Sequence, residues 1–259
     1  MTNEHCAFWR SLGVTRLEIG IQSLFDELLE ANKRGHTVQQ IREACHRLRQ
    51  WGFKFSVHIM PGLYMSTYEK DLETFKRLYE DPFLKPDEIK FYPTSVIPNT
   101  ELATLYHEGK YIPLSTDEIK QLIEEVLLTI IPPYTRIKRL IRDIPSQEIL
   151  AGSTVTNLHQ LVENDLLQRE RTDLYKRLSE YVVGNVPFDT ITSRSIVSLD
   201  TRSREVRHRK EGTPEWVKLI QRRYESSVGT EYFLSFEDEL GYIYGFTRLL
   251  LPKAECTLQ

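Results

Sequence analysis

The chain has 259 residues, 40% of them hydrophobic and 27% charged, which is ordinary for a folded protein of one large or two small domains. Three widely spaced cysteines argue against a disulfide framework and favour a reducing, cytoplasmic compartment. No run approaches the roughly 20 apolar residues of a membrane helix, so we expect no membrane partner. The net charge of −3 excludes a general attraction to nucleic acid, so any RNA binding must come from local basic clusters.

The first half of the chain predicts alternating strands and helices. Buried strands are predicted at residues 14–21, 53–60 and 88–97, and helices at residues 24–33, 37–51 and 67–81. Thr37 is a plausible N-cap of the second helix. Crossovers long enough for helices require parallel strands, so these units predict about half of an α/β barrel. Two more helices are expected between residues 99 and 131, the second capped by Ser115 or Thr116.

After residue 131 the pattern changes. The segment 134–145 is β-like and basic, and residues 157–182 predict one long amphipathic helix. Short strands are then expected at residues 194–209, 216–226, 230–238 and 242–252. We therefore predict three regions: a partial barrel (1–131), a basic linker with the long helix (132–184) and an antiparallel β region (185–259).

Six stretches, taken together and in this order, resemble one family. They are GVTRLEIGIQS (13–23), NKRGHTV (32–38), GFKFSVHIMPGL (52–63), DLETFKRLYEDPFLKPDEIKFYPTSVI (71–97), IPPYTRIKRLIRDIP (131–145) and YFLSFED (232–238). They are similar to the catalytic subunit of Elongator, the radical S-adenosylmethionine and acetyltransferase proteins that modify the wobble uridine, U34, of tRNA. The resemblance implies an α/β fold: a partial radical SAM-type (β/α) barrel, a helical linker and a small antiparallel β region that begins an acetyltransferase-like domain, truncated at both ends.

The resemblance also implies three cofactors in the complete enzyme: S-adenosylmethionine, a [4Fe–4S] cluster on three clustered cysteines, and acetyl-CoA. Here Cys6, Cys45 and Cys256 lie too far apart in sequence for such a cluster. The glycines after residue 184 do not form a spaced phosphate loop, so we expect no acetyl-CoA site. We therefore expect the isolated chain to bind none of these cofactors and to be inactive.

A zinc site is a further property of some relatives, which carry cysteines in the stretch aligned with SLDTRSREV (198–206). Ser198, Asp200 and Ser203 stand near those positions here. Zinc prefers thiolate and imidazole ligands, so two hydroxyls and one carboxylate are a poor set. We predict no structural metal.

Five polar residues lie on or just beyond the three predicted strands: Glu18, Gln22, His58, Lys90 and Tyr92. In an α/β barrel, side chains at the carboxyl ends of the strands line the active site. The resemblance makes Lys90, His58 and Gln22 candidate catalytic residues. It also implies that Glu18, Gln22, His58 and Tyr92 contact adenosylmethionine or the target base. The alternative is structural, with Glu18 and Lys90 forming a cross-strand ion pair and His58 hydrogen-bonded in the core.

Three basic groups are candidates for contact with tRNA. They are the pair Lys33 and Arg34, the strip Arg136, Lys138, Arg139 and Arg142, and the alternating arginines 202, 204, 207 and 209, of which Arg202 and Arg204 are the leading candidates. Arginine matches phosphate geometry through two parallel hydrogen bonds. The alternatives are salt bridges from the strip to the acidic helix at residues 117–125, and ordinary solvated surface for the other two groups.

Two functions remain open from the sequence. The first is a part of a tRNA U34 5-carboxymethyl-type modification enzyme that binds tRNA and requires a complementary polypeptide to supply the missing barrel half. The second is a catalytically inactive RNA-binding or docking module. An unrelated hydrolase or aldolase-like barrel is disfavoured because no nucleophile elbow is present and the set of βα units is incomplete.

Overall fold

A parallel and an antiparallel sheet organise the structure, a computed structural model that describes residues 1–141, 144–155, 157–169, 172–184 and 196–254. The first part contains α1 (Asn3–Ser11), β1 (Arg16–Gln22), α2 (Asp26–Ala31), α3 (Val38–Gln50), β2 (Lys54–Ile59), α4 (Tyr68–Glu80) and β3 (Glu88–Phe91). The middle contains α5 (Glu101–His107), α6 (Thr116–Thr129), β4 (Arg136–Arg139), α7 (Leu158–Gln168) and α8 (Thr172–Leu178). The last part contains β5 (Val217–Glu225), β6 (Gly229–Asp238) and β7 (Ile243–Pro252).

The first sheet has the order β1-β2-β3-β4, and every neighbouring pair is parallel. This confirms the predicted α/β fold with parallel strands. Apolar side chains such as Phe55, Val57 and Ile89 are fully buried in a core that also contains residues of α3, α4 and α6. Helix α3 begins where predicted, because the Thr37 side chain accepts from the backbone N–H of Gln40 and the Gln40 side chain caps Thr37 in return.

The parallel sheet extends further along the chain than the sequence suggested. Residues Arg136–Arg139 pair with β3, although they lie in the region predicted as a linker. Strand β3 is correspondingly shorter than predicted and ends at Phe91, shortly before Pro93. The sequence indicated the β character of residues 134–145 but not their place in the sheet, which became recognisable only through the pairing with β3.

The single long helix predicted at residues 157–182 is wrong. Helix α7 ends before Arg169, whose backbone is extended, and α8 starts at Thr172. The guanidinium of Arg169 pairs with the buried Glu124 of α6. The ion pair of Arg169 with Glu124 thus lies at the end of α7, although the apolar periodicity of the sequence predicted that the helix would continue.

The antiparallel sheet has the order β5-β6-β7 and confirms three of the four strands predicted after residue 184. The strand predicted at residues 194–209 does not form within its described residues, 196–209. These residues form turns and a short 3₁₀ helix at Val206–His208 instead. The reason is local: the Asp200 carboxylate accepts from the backbone N–H groups of Arg202 and Ser203, which folds the chain into a turn.

The two sheets share one apolar core. The rings of Tyr134, which precedes β4, and Tyr224 on β5 stack with centroids 3.8 Å apart. At the same contact, the buried Arg49 of α3 pairs with the buried Glu231 of β6. The antiparallel sheet thus packs firmly against the parallel one. Within the described ranges, no helix combines the length and apolar character needed to cross a membrane.

Candidate functional site

A cluster of charged side chains extends across all four parallel strands. Glu18 on β1 lies at its centre: Lys90 Nζ on β3 is 2.6 Å from Glu18 Oε2, and Lys138 Nζ on β4 is 2.8 Å from Glu18 Oε1. His58 Nε2 on β2 is 3.1 Å from Glu18 Oε2. The neighbouring apolar residues of the same strands point toward the helices, so the charged residues form the opposite face of the sheet.

A second carboxylate extends this cluster. Glu88 on β3 is buried and lies 2.8 Å from Arg16 Nη1 and 3.2 Å from Lys138 Nζ. Lys138 therefore connects both carboxylates. With Arg16, Lys90 and Lys138 against Glu18 and Glu88, this polar face carries one positive charge in excess while His58 is neutral.

The cluster changes the protonation of its members. Burial raises the pKa of Glu18, but hydrogen bonds from Lys138, Lys90 and His58 lower it more, to about 2. Burial lowers the pKa of His58, Glu18 opposes that effect, and Lys90 adds to the lowering. His58 is therefore neutral near pH 7, and because a carboxylate only accepts, its Nε2–H donates to Glu18.

The polar face leads to a cavity at the carboxyl end of the strands. The His58 ring meets the Tyr92 ring edge-on, with centroids 5.1 Å apart. Tyr92 directly follows β3 and lines a cavity of about 280 Å³. Other lining residues include Met60, Leu63, Tyr64, Pro93 and Thr94, with Lys33 and Arg34 also in the wall. An apolar cavity with a few polar groups next to a charged cluster is the usual form of a ligand site.

Two buried polar atoms in this region lack a partner among the described residues: Gln22 Oε1 and Thr94 Oγ1. Gln22 ends β1 with a positive φ of 59°, and its carbonyl accepts from the N–H of Met60 in the cavity wall. Thr94 itself lines the cavity. A nucleoside offers hydroxyls and ring nitrogens that could satisfy both atoms, so the two atoms are compatible with the adenosyl group that the sequence resemblance implies.

The two thiols that the structure describes do not fit an iron–sulfur cluster, and Cys256 lies outside the described residues. Cys6 on α1 and Cys45 on α3 are both buried and free. A [4Fe–4S] cluster needs several thiolates converging on one point. Within the described part of the chain, no group of three or more histidine, cysteine or acidic residues could hold a metal ion.

The structure brings Glu18, His58, Lys90 and Tyr92 together, with Gln22 at the end of β1, the strand that carries Glu18. The contacts that define the structural alternative, Glu18 with Lys90 and with His58, are therefore present alongside the cavity. Sequence reasoning missed Glu88, Arg16 and Thr94, and assigned Lys138 to RNA alone. The proximity of Glu88 and Lys138 follows from the pairing of β3 with β4, in which Glu88 lies opposite Arg136, and that strand order is not visible in the sequence.

The basic strip of residues 136–142 is largely engaged within the protein. Arg136 Nη1 is 2.5 Å from Glu205 Oε1, and Lys138 pairs with Glu18 and Glu88. The acidic helix has other partners, since Glu124 pairs with Arg169 and Glu125 accepts from Tyr68. Arg139 is exposed, and Arg142 lies outside the described residues.

The alternating arginines do not line one exposed strand face, because no strand forms there. Arg204 is fully buried and pairs with Glu237, so the prediction that its guanidinium contacts RNA is corrected. Arg202 Nη1 donates to the carbonyl of Lys138, Arg207 pairs with Glu205, and Arg209 pairs with Glu239. In the remaining basic loop, Lys33 pairs with Glu101 on the surface and Arg34 is exposed.

The chain matches known families along most of its length. The Radical SAM superfamily matches residues 1–78, and the Radical_SAM C-terminal domain matches residues 86–168. The chain is 36% identical over 247 residues to the tRNA uridine(34) acetyltransferase of Methanocaldococcus jannaschii, a match that covers 93% of this chain and 41% of that protein. It is 33% identical over 246 residues to the Elongator complex protein 3 of Homo sapiens, covering 95% of this chain and 41% of that protein.

A solved structure supports the same relationship. The archaeal Elp3 of Methanocaldococcus infernus, with an N-terminal deletion (1–46), superposes with a TM-score of 0.82 at 32% identity. The match covers 98% of this chain and 56% of that chain. The chain thus spans about two-fifths of the length of the curated relatives it matches. From the matching sequence, the four-stranded parallel sheet and this superposition, we conclude that the chain belongs to the radical SAM family of Elongator complex protein 3 and the tRNA uridine(34) acetyltransferases.

Proposed function

We propose that the chain forms the substrate-side part of an enzyme that modifies U34 of tRNA with a carboxymethyl-type group. The observation that carries this proposal is the charged cluster around Glu18, which opens through His58 and Tyr92 into the cavity at the strand ends. In α/β barrels this end of the sheet holds the reacting groups. The relatives that carry the name tRNA uridine(34) acetyltransferase supply the substrate class.

In the complete enzyme, the cavity residues would hold the adenosyl group of S-adenosylmethionine, which supplies radical chemistry when it binds beside an iron–sulfur cluster. Gln22 Oε1 and Thr94 Oγ1, which are buried without a partner among the described residues, would pair with its polar atoms, and Tyr92 in the cavity wall would contact the base. Lys90 would orient an anionic or carbonyl group of the substrate, because its ammonium has three donors and Glu18 accepts only part of that capacity.

Neutral His58 could exchange a proton with substrate because its pKa is lowered from the ordinary value. Its Nε2–H donates to Glu18, which fixes the ring orientation relative to Tyr92. Glu18 itself remains ionised above pH 4, so its role is to orient Lys90, Lys138 and His58 rather than to transfer a proton. These assignments make Lys90 and His58 catalytic and Glu18 a positioning residue.

For tRNA, we propose contact through Lys33 and Arg34 beside the cavity and through the exposed Arg139. Arg136, Lys138 and Arg202 would extend this surface as secondary contacts, and each has a contact within the protein that an RNA phosphate would have to share. Arg142, outside the described residues, remains a candidate from the sequence. The proposed setting is the cytoplasm, where tRNA is modified.

A complementary polypeptide is the second proposed partner. Strand β1 has a neighbouring strand on one side only among the described residues, so its other edge offers unpaired backbone groups. A strand from that partner would extend the sheet and bring the cluster cysteines toward the polar face. Without it we expect no turnover.

The salt dependence of tRNA binding tests the proposal. We expect weak binding by the wild-type chain, with affinity that falls steeply as salt rises, because phosphate contacts release condensed counterions. Replacing Lys33, Arg34 and Arg139 together with glutamine should flatten the log–log slope by roughly two to three, at about 0.7 to 0.9 per contact. Lys76→Gln, an exposed lysine on α4, is the control and should leave the slope unchanged. An unchanged slope in the triple variant would exclude this surface as the tRNA site.

A further inference from the structure

The two outer edges of the parallel sheet differ. The outer edge of β1 has no neighbouring strand in the described part of the chain, whereas residues 198–205 cover the outer edge of β4. We call residues 198–205 the edge loop. An uncovered strand edge is a site for unwanted pairing with other chains, so covering it has a physical purpose.

Four hydrogen bonds join the edge loop to backbone groups of β4 and the residues before it, in addition to the ion pair between Arg136 and Glu205. The Thr201 N–H donates to the Thr135 carbonyl at 2.9 Å, and the Ile137 N–H donates to Asp200 Oδ1 at 3.4 Å. Arg202 Nη1 donates to the Lys138 carbonyl at 2.9 Å, and Arg204 Nη2 donates to the Pro133 carbonyl at 2.8 Å. Backbone groups from Pro133 to Lys138 thus find partners in the loop instead of in a fifth strand.

Asp200 is the centre of the edge loop and is only 2% exposed. Its Oδ1 accepts from the N–H groups of Ile137, Arg202 and Ser203, and its Oδ2 accepts from the Ser198 hydroxyl. The Ser198 hydroxyl and the N–H groups of Arg202 and Ser203 belong to the loop itself, whereas the Ile137 N–H belongs to β4. One carboxylate therefore both folds the loop and attaches it to the strand edge.

Arg204 connects the edge loop to the antiparallel sheet. It is fully buried, and its guanidinium donates to Glu237 on β6 at 2.9 Å and to the Gly241 carbonyl at 3.0 Å. Glu237 also accepts from the buried Arg222 of β5. The edge loop is therefore held from both sides, by β4 through Asp200 and by β6 through Arg204.

We propose that the Asp200 carboxylate fastens the edge loop to β4 without a metal ion and so closes that edge of the sheet. The donor chemistry disagrees with a zinc site at these positions. Ser198 and Ser203 offer hydroxyls where zinc prefers thiolate or imidazole, and both oxygens of Asp200 already accept hydrogen bonds. The guanidinium of Arg204, buried in the same loop, would repel a divalent cation.

Backbone hydrogen exchange in the Asp200→Ala variant tests the attachment. The amide of Ile137 faces the edge loop, whereas the amide of Arg136 donates to Asp87 on the other side of β4. Removing the carboxylate should speed exchange at Ile137 by about tenfold or more, since a hydrogen bond to a charged group contributes that much protection. Exchange at Thr201 should also become faster, because its bond to the Thr135 carbonyl depends on the attached loop. Exchange at Arg136 should change far less. The matched control Asp117→Ala, at an exposed position on α6, should change neither.

If Asp200→Ala does not fold, Asp200→Leu provides the same comparison, because leucine has the same branched shape and removes both acceptor oxygens. Equal exchange at Ile137 in wild type and in the folded variant would overturn the proposal. Metal dependence is the second measurement: the wild-type melting temperature should be the same in excess chelator and in added zinc. A drop in chelator, or near-stoichiometric zinc in native mass spectrometry, would also overturn it.

Discussion

The ammonium of Lys90 lies 2.6 Å from Glu18 Oε2, joining β3 to β1 across the intervening strand β2. This ion pair is also within reach of His58, so a change at Glu18 alters the surroundings of both proposed catalytic side chains. The side chain of Glu18 is 36% exposed, which leaves the pair accessible from the polar face. Because Glu18 titrates and the apolar core does not, the pH dependence of stability separates the contribution of this pair from that of the core.

Glu18→Gln should change how stability depends on pH. In the folded protein the pKa of Glu18 is about 2, against 4.5 ordinarily, so its ionised form contributes stability that is present above about pH 4.5. That contribution is lost as the pH falls toward 2. We expect the wild type to have the higher melting temperature at pH 6 and the difference to close between pH 4.5 and 2. Glu108→Gln, at a surface pair with Lys110, serves as control. A difference that stays constant with pH would contradict this assignment.

Arg49→Met should strongly destabilise the contact between the two sheets. Both Arg49 and Glu231 are 1% exposed, and removing Arg49 leaves the buried Glu231 carboxylate with Lys54, 3.5 Å away, as its remaining ion-pair partner among the described residues. We expect a loss of about 3–5 kcal/mol in the free energy of unfolding, measured by urea denaturation. Adding Glu231→Leu should recover much of that loss, because the orphaned charge is removed. The control Lys110→Met breaks an exposed pair and should have little effect. Equal stability of the single and double variants would show that the pair is not the cause.

The two described cysteines should be unreactive in the native protein. Burial raises the pKa of Cys45 to about 12, although Arg49 opposes the effect, and burial also raises the pKa of Cys6. The thiolate is the reactive form, so iodoacetamide at pH 8 should label neither residue without denaturant. Both should be labelled in urea, as peptide mass spectrometry would detect. Rapid native labelling of Cys45 would mean that α3 does not pack on the sheet as described.

Anaerobic reconstitution with iron and sulfide should leave the isolated chain without a stable cluster. Cys6 and Cys45 lie on different helices with buried thiols, and the cluster requires converging thiolates. Iron and sulfide analysis after gel filtration provides the measurement, and a complete family member serves as the positive control. Near-stoichiometric iron and sulfide in this chain would contradict the prediction.

The elements with strong local signals could be predicted from the sequence alone. Strands β1 and β2 and helices α3 and α4 match their expected ranges to within about two residues, because apolar periodicity and N-caps such as Thr37 are local properties. Strand β4 escaped detection as part of the sheet because it is four residues long and gains its stability from pairing with β3. The break between α7 and α8 and the turns of the edge loop depend on contacts of Arg169 and Asp200, which periodicity does not encode.

For the candidate site, too, the residue types could be predicted from the sequence, whereas their arrangement in space could not. Glu18, His58, Lys90 and Tyr92 could be named because polar residues within or just after buried strands stand out in the sequence. Their mutual distances depend on strand order and register, which bring residues far apart in the chain within hydrogen-bonding distance. Arg204 illustrates the opposite error. Its charge suggested exposure, yet Glu237, 33 residues away in sequence, makes its burial possible.

The sequence by itself determined the family, the parallel strand–helix order and the polar positions of the strands, since each follows from residue identity and short-range spacing. Only the tertiary structure decided which charges pair, which edge of the sheet is covered and where the cavity opens. The physical reason is that ion pairs, edge contacts and cavities depend on distances between segments remote in the chain. Those distances are fixed by packing of the common core, where residues such as Tyr134 and Tyr224 meet, and not by any local stretch.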